Sequence, residues 1–193
     1  MNTYRLHTLE TAPAGSSPVL EAAGKGLGFI PNLYAHLAES PAALNAYTQL
    51  GSLLEKGAFT PVEQQVILLA ASTENRCGYC VAAHSFIARN MAKAAPGVIT
   101  ALREGLALPD PKLDALASFA RAVVRQRGWV AGSAELESFH AAGYTQRHAL
   151  EIVLGVAMKT LSNYASHLID IPLDAAFEGE VWSLPDEHAC CAH

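Results

Sequence analysis

The chain has 193 residues, 51% of them hydrophobic and 16% charged, enough for one domain, or two tightly joined halves, around a sizeable core. A formal net charge of −5 with no run of Lys or Arg lacks the electrostatic footprint of a nucleic-acid or anionic-membrane binder. Met1 to Pro13 contains no basic segment followed by a signal-length apolar stretch, and the uncharged helical cores are too short to span a bilayer, so the expectation is a soluble, cytoplasmic chain without nucleic-acid or membrane partners.

Helix starts recur in chain order as Ser17-Pro18, Ser40-Pro41, Thr60-Pro61 and Asp110-Pro111, each an N-cap side chain with proline at the first helical position. Thr60-Pro61-Val62-Glu63 also reads as a capping box, and Gly57, Gly105, Gly128 and Gly143 are suitable helix stops. An apolar helix (Val66, Ile67, Leu69, Ala70) follows Thr60, is interrupted near Asn75 to Gly78, and gives way to a second helix from about Tyr79. Tyr144-Thr145 opens a long helix through Ile152, Val153 and Leu154 to Asn163-Tyr164, and setting Thr60 on Thr145 places Tyr79 on Tyr164, a faint internal echo. The reading is all-α, about eight helices and no strand, with residues 1–185 as one domain and 186–193 as a Cys/His tail of unassigned role.

The informative stretch is Glu74-Asn75-Arg76-Cys77-Gly78-Tyr79-Cys80-Val81-Ala82-Ala83-His84. On a helical projection Glu74, Cys77, Cys80 and His84 fall within an arc of about 120°, so the four side chains can meet in one pocket. In a reducing cytosol a closely spaced pair is catalytic or metal-binding rather than a structural disulfide. A thiol pair supplies two electrons as it closes to a disulfide, its reactive form is the thiolate, and the unpaired amides at a helix start favour that anion.

Zinc is the main alternative, since Cys77, Cys80 and His84 offer three ligands and Glu74 or a tail residue could complete the set. A thioredoxin fold would require strands, and none are visible near the motif. Outside the motif, His7, His36, His140 and His148 carry no assignment, while His167, Asn163 and Tyr164 on the late helix are candidates to approach the site. Trp129, Trp182, Phe139 and Phe177 read as packing anchors. The apolar circumference of Ile152 to Leu168 asks for cover, which a homo-oligomer would provide.

These residues resemble the AhpD-like alkylhydroperoxidases of the carboxymuconolactone decarboxylase superfamily, specifically its peroxidase-related branch. The resemblance rests on Glu74, Cys77, Cys80 and His84 and extends to Ile30-Pro31-Asn32-Leu33, Ser40-Pro41, Lys159 to Tyr164 and Pro172-Leu173-Asp174. It implies an all-α bundle assembling as a dimer, trimer or hexamer, and a thiol peroxidase without haem or metal. In that scheme Cys80 is the attacking thiolate, Cys77 resolves it into a redox-active Cys77–Cys80 disulfide, His84 relays the proton, and Glu74 holds and polarises His84 or accepts the proton through water. A dithiol, thioredoxin-like or lipoyl donor would reopen the disulfide. Two departures stand out: the position of the founding members' catalytic glutamate is Gln65 here, with Glu63 a distant substitute, and Tyr79 replaces a histidine between the cysteines. The rival functions are a non-catalytic zinc-binding or redox-sensing module and a decarboxylase-like enzyme of the same superfamily.

Overall fold

A computed structural model of the chain, describing residues 4–183, contains nine α-helices and one 3-10 segment and no strand among those residues, against the eight or so helices expected. In order they are α1 (Ser17–Leu27), α2 (Asn32–Leu37), α3 (Pro41–Glu55), α4 (Pro61–Glu74), α5 (Gly78–Asn90), α6 (Pro96–Glu104), α7 (Pro111–Arg125), α8 (Ala134–Ala141) and α9 (Gln146–Ile169), then the 3-10 segment Ala175–Glu180. The Cys/His tail, with Cys190 and Cys191, lies outside the described residues.

The cap signals act as their chemistry requires. Ser40 accepts from the Ala43 amide, Asp110 from those of Lys112 and Leu113, and Thr60 and Glu63 form the reciprocal capping box. At α1 the cap is Ser16 rather than Ser17, and its hydroxyl donates to the Ala38 carbonyl at 2.7 Å instead of closing its own helix. Six-residue α2 carries no side-chain cap and so gave no start signal of this kind.

Helix α4 is the axis of the fold. Val66, Ile67, Leu68, Leu69, Ala70, Ala71 and Ser72 are all buried, so the helix is covered on every side, by α7, α5 and α9 chiefly. The approach of α9 is close: a Cβ on Gly155 would stand 3.0 Å from Ile67 Cγ2. Trp129 corrects the expectation for the large aromatics, since it is 86% exposed, whereas Phe139 and Phe177 are buried as anchors and Trp182 packs partly buried against the core.

Between α4 and α5 the helix does not continue. Arg76 takes a left-handed backbone (φ 58°), uncommon for a residue with a side chain, and the Cys77 amide turns back to the Ser72 carbonyl at 3.0 Å. Cys77 becomes the N-cap of α5 and Cys80 falls in its first turn. The carboxy-terminal segment crosses this point, and Gly78 permits it: a Cβ there would lie 3.2 Å from the Trp182 carbonyl oxygen.

That segment is held by polar clamps at both ends. Arg103 donates to the carbonyls of Glu180 (3.1 Å) and Val181 (2.8 Å), and the Trp182 indole donates to the Arg103 carbonyl (2.9 Å). At the near end the Tyr79 hydroxyl donates to Asp174 Oδ2 at 2.6 Å and accepts from the Leu33 amide at 3.2 Å, while Asp174 Oδ1 accepts from the Asn32 amide at the start of α2. Tyr79 therefore joins α5, α2 and the carboxy-terminal segment. Tyr79→Phe is expected to lower the unfolding free energy by about 1–3 kcal/mol, because it strips a buried carboxylate oxygen and a buried amide of their partner. Denaturant unfolding of the variant checks this, and an unchanged midpoint would assign the hydroxyl elsewhere.

Candidate functional site

The break after α4 brings both cysteines inward. Cys77 and Cys80 are buried free thiols, and the Cys77 thiol donates a hydrogen bond to the Cys80 sulfur. That bond lowers the pKa of Cys80 below the ordinary thiol range despite its burial, helped by the Lys159 charge and by the Ser162 and Asn163 side chains. The same bond, with burial, pushes the Cys77 thiol up. The pair is thus polarised, with Cys80 made the more acidic thiol and Cys77 the less acidic.

The other half of the site comes from α9, where Lys159, Ser162 and Asn163, at i, i+3 and i+4, present one buried face to the sulfur. Ser162 Oγ lies 3.8 Å from Cys80 Sγ, and the Tyr47 hydroxyl bonds to Ser162 in turn. The Asn163 amide is oriented by Asn75, whose Nδ2 donates to Asn163 Oδ1 at 2.9 Å, and the buried Asn163 Nδ2 has no hydrogen-bond partner.

Lys159 is 0% exposed. Its Nζ donates to His84 Nε2 at 2.9 Å, and His84 Nδ1 donates to Gln65 Oε1 at 3.0 Å. An ammonium can only donate, so the ring carries its proton on Nδ1 and is neutral. Burial, and then the Lys159 charge, hold the His84 pKa well below the ordinary histidine range. A buried ammonium without a counter-charge costs several kcal/mol, and the Cys80 thiolate supplies that charge.

This geometry corrects the expected roles of Glu74 and His84. The Glu74 carboxylate is held by Arg125 through two 3.0 Å bonds, and the ring nitrogens of His84 are held by Gln65 and Lys159, so the expected Glu74–His84 contact is not made. The projection placed Glu74 with the cysteines by assuming a continuous helix, and the left-handed turn at Arg76 ends it. Glu63 keeps its capping duty and also accepts from the Tyr144 hydroxyl at 2.8 Å.

Lys159 and Gln65 were missed as functional groups. The available signal was a lone charge in the apolar face of α9. Of the other candidates, Asn163 reaches the site, whereas Tyr164 and His167 lie on the exposed face of α9. The donor set does not fit zinc, since His84 Nε2 accepts from an ammonium and Nδ1 is protonated toward Gln65. Among the described residues no group of three or more His, Cys, Asp or Glu is arranged to hold a metal ion.

The model of the carboxymuconolactone decarboxylase family matches residues 41–122, a span that includes Gln65, Cys77, Cys80 and His84. A solved structure described as an alkylhydroperoxidase AhpD core, an uncharacterised peroxidase-related protein from Ralstonia eutropha JMP134, is 26% identical with a TM-score of 0.80, covering 90% of this chain and 93% of that one. The chain is thus similar to the carboxymuconolactone decarboxylase family over its central helices and to AhpD-like, peroxidase-related proteins in fold. An uncharacterised peroxidase-related protein from Silicibacter sp. TM1040 shares the fold at 22% identity (TM-score 0.75, covering 92% of this chain and 93% of that one). So does the debrominase Bmp8 at 19% identity (TM-score 0.72, covering 86% and 90%), which has also been solved as a cysteine-to-alanine variant in complex with 2,3,4-tribromopyrrole. No curated protein sequence matches the chain significantly.

Within this AhpD-like frame the sequence-matched segment carries the thiols and the imidazole, and α9, beyond it, carries the charge that polarises them. Because the Cys80 pKa is lowered on folding, this group stabilises the native state fully above the unfolded thiol value of about 8.5 and loses that contribution as pH falls through the folded value. Cys77, raised on folding, acts oppositely and weakens the fold as pH climbs above about 8.5. In Lys159→Met, alkylation of the reduced protein followed against pH is expected to show the Cys80 midpoint displaced upward by about one unit or more. Glu74→Gln is expected to leave that midpoint in place and to cost about 1 kcal/mol of stability or less, as for a partly exposed ion pair. The opposite pattern would return the carboxylate to the site.

Proposed function

We propose that the protein is a thiol-dependent hydroperoxide reductase. The observation that carries this reading is the buried Cys80 thiolate set against the Lys159 ammonium, with a second, protonated thiol already bonded to it. The similarity to the carboxymuconolactone decarboxylase family and to a peroxidase-related AhpD core supports it.

The Cys80 thiolate attacks the distal peroxide oxygen, forming an S–O bond as the O–O bond breaks and its electron pair leaves on the alkoxide. Lys159 gives the alkoxide its proton, so the product is an alcohol, a Cys80 sulfenic acid and a neutral lysine. The Cys77 thiol then attacks the Cys80 sulfur, forming the disulfide and releasing water. A dithiol donor, thioredoxin-like or lipoyl in type, reopens the disulfide with two electrons and two protons, and one of those protons passes from Cys80 to Lys159 to restore the ion pair. His84 holds Lys159 in place throughout as a neutral acceptor, fixed by Gln65. The need for reductant fits a reducing compartment such as the cytoplasm. Leu150, Val153, Tyr164 and Leu168 form an exposed apolar stripe on α9, which supports assembly as a homo-oligomer.

A second reading has one observation in its favour: the space beside His84 is walled largely by aromatic rings. The same two thiol electrons could replace an aromatic C–Br bond by C–H, giving bromide and a disulfide, the activity by which the fold neighbour Bmp8 is named. The superfamily's decarboxylases proper lack the cysteine pair that organises this site.

Turnover of hydroperoxide with a dithiol donor tests the proposal. Cys80→Ser is expected to abolish consumption, and Cys77→Ser to leave a sulfenic acid on Cys80 that can be trapped and located by mass spectrometry. Trapping on Cys77 in the reciprocal variant would exchange the two roles. Release of bromide from a brominated aromatic, with no hydroperoxide consumed, would favour the second reading.

A further inference from the structure

A cavity of about 370 Å³ adjoins the site, with His84 on its wall. We infer that this cavity seats the apolar body of a neutral, ring-bearing hydroperoxide, an inference that rests on the peroxidase reading above.

Three properties of the wall point to that class. The first is its aromatic character: Phe29, Tyr34, Tyr47, Tyr79, Phe86 and Phe177 all contribute. Phe177, from the carboxy-terminal segment, is the hub, with its ring centroid 5.7 Å from that of Phe29, 5.4 Å from Phe86 and 6.2 Å from Tyr79 in edge-on or tilted arrangements. Such walls offer ring edges and faces to another ring. The second is the absence of charge. No Asp, Glu, Lys or Arg lines it among the described residues, and burial, with the Lys159 charge, keeps His84 neutral. A fatty-acid hydroperoxide would bring a carboxylate with no counter-charge, at a desolvation cost that an uncharged molecule avoids. The third is size. At interior packing density, 370 Å³ accommodates about 15–20 non-hydrogen atoms, room for a substituted ring, whereas hydrogen peroxide would leave most of it unfilled.

Position links the cavity to the chemistry. Neither cysteine lies on its wall; Tyr47, bonded to Ser162 beside Cys80, and His84, bonded to Lys159, stand between. A second cavity of about 280 Å³ meets the first at Tyr34, Tyr47, His84 and Met91, so His84 sits where the two join.

The test uses the reduced protein and cumyl alcohol, which has the body of cumene hydroperoxide but no O–O bond to reduce. Saturation-transfer NMR is expected to show the alcohol bound, octanoate of similar size not bound, and cumene hydroperoxide consumption competitively inhibited by the alcohol. Ala83→Leu, which adds apolar volume to the wall from α5, is expected to lower the ratio of kcat/KM for cumene hydroperoxide to that for hydrogen peroxide about tenfold. Should that variant fold poorly, alcohol binding to the unaltered chain decides alone. Absence of alcohol binding, or octanoate binding as well as the alcohol, overturns the inference while leaving peroxidase turnover as a separate result. Alcohol binding without consumption of any hydroperoxide overturns the peroxidase reading and leaves a site for neutral aromatic molecules.

Discussion

A lysine with no solvent exposure dictates much of what surrounds it. The Lys159 ammonium must find an anion and acceptors inside the protein, and it finds the Cys80 thiolate and the unprotonated nitrogen of His84. Both arrangements run against the solution preferences of the groups concerned: at neutral pH a thiol is mostly protonated, and histidine readily takes a proton. The Cys77 hydrogen bond, helped by the ammonium, reverses the first, and burial together with the ammonium opposes the second. It also accounts for Gln65, since a neutral imidazole held by an ammonium on Nε2 needs an acceptor at Nδ1, and an amide oxygen supplies one without adding a charge.

The backbone makes this electrostatic arrangement possible by a discontinuity. Were α4 to continue as one helix, Cys77 and Cys80 would sit mid-helix, where every amide is spent on a carbonyl. The left-handed Arg76 ends α4, sets Cys77 at the N-cap and places Cys80 in a first turn. The same break carries Glu74 out to Arg125, so one local feature both builds the thiol pair and removes the carboxylate from it. The carboxy-terminal segment then lies across the start of α5, admitted by Gly78 and tied by Tyr79 and Arg103, and brings Phe177 into the aromatic wall beside His84.

Local rules were legible wherever the physics is local. The Thr60 capping box, the Ser/Thr/Asp-Pro starts, the buried α4 and the long α9 are short-range consequences of side-chain hydrogen bonding and periodicity, and they stand in the structure within a residue or so. The pairing of two cysteines one helical turn apart was legible for the same reason. Trp129 shows the limit: a large apolar side chain is an anchor only if another element comes to meet it, and in the turn before α8 none does.

What the amino-acid sequence determined by itself is an all-α chain with a CxxC at a helix start and a family resemblance concentrated on that motif, because caps, periodicity and i, i+3 spacing act within one or two turns. What only the tertiary structure decided is which groups share the sulfur's surroundings. Lys159 is 75 residues from His84 and Gln65 is 19 from it, contacts made by the packing of α9 and α4 against α5. Glu74, three residues from Cys77, is elsewhere. Proximity along the chain could not rank these residues, since the turn at Arg76 separates neighbours and helix packing joins strangers, and a buried charge must be satisfied by whatever the fold places against it.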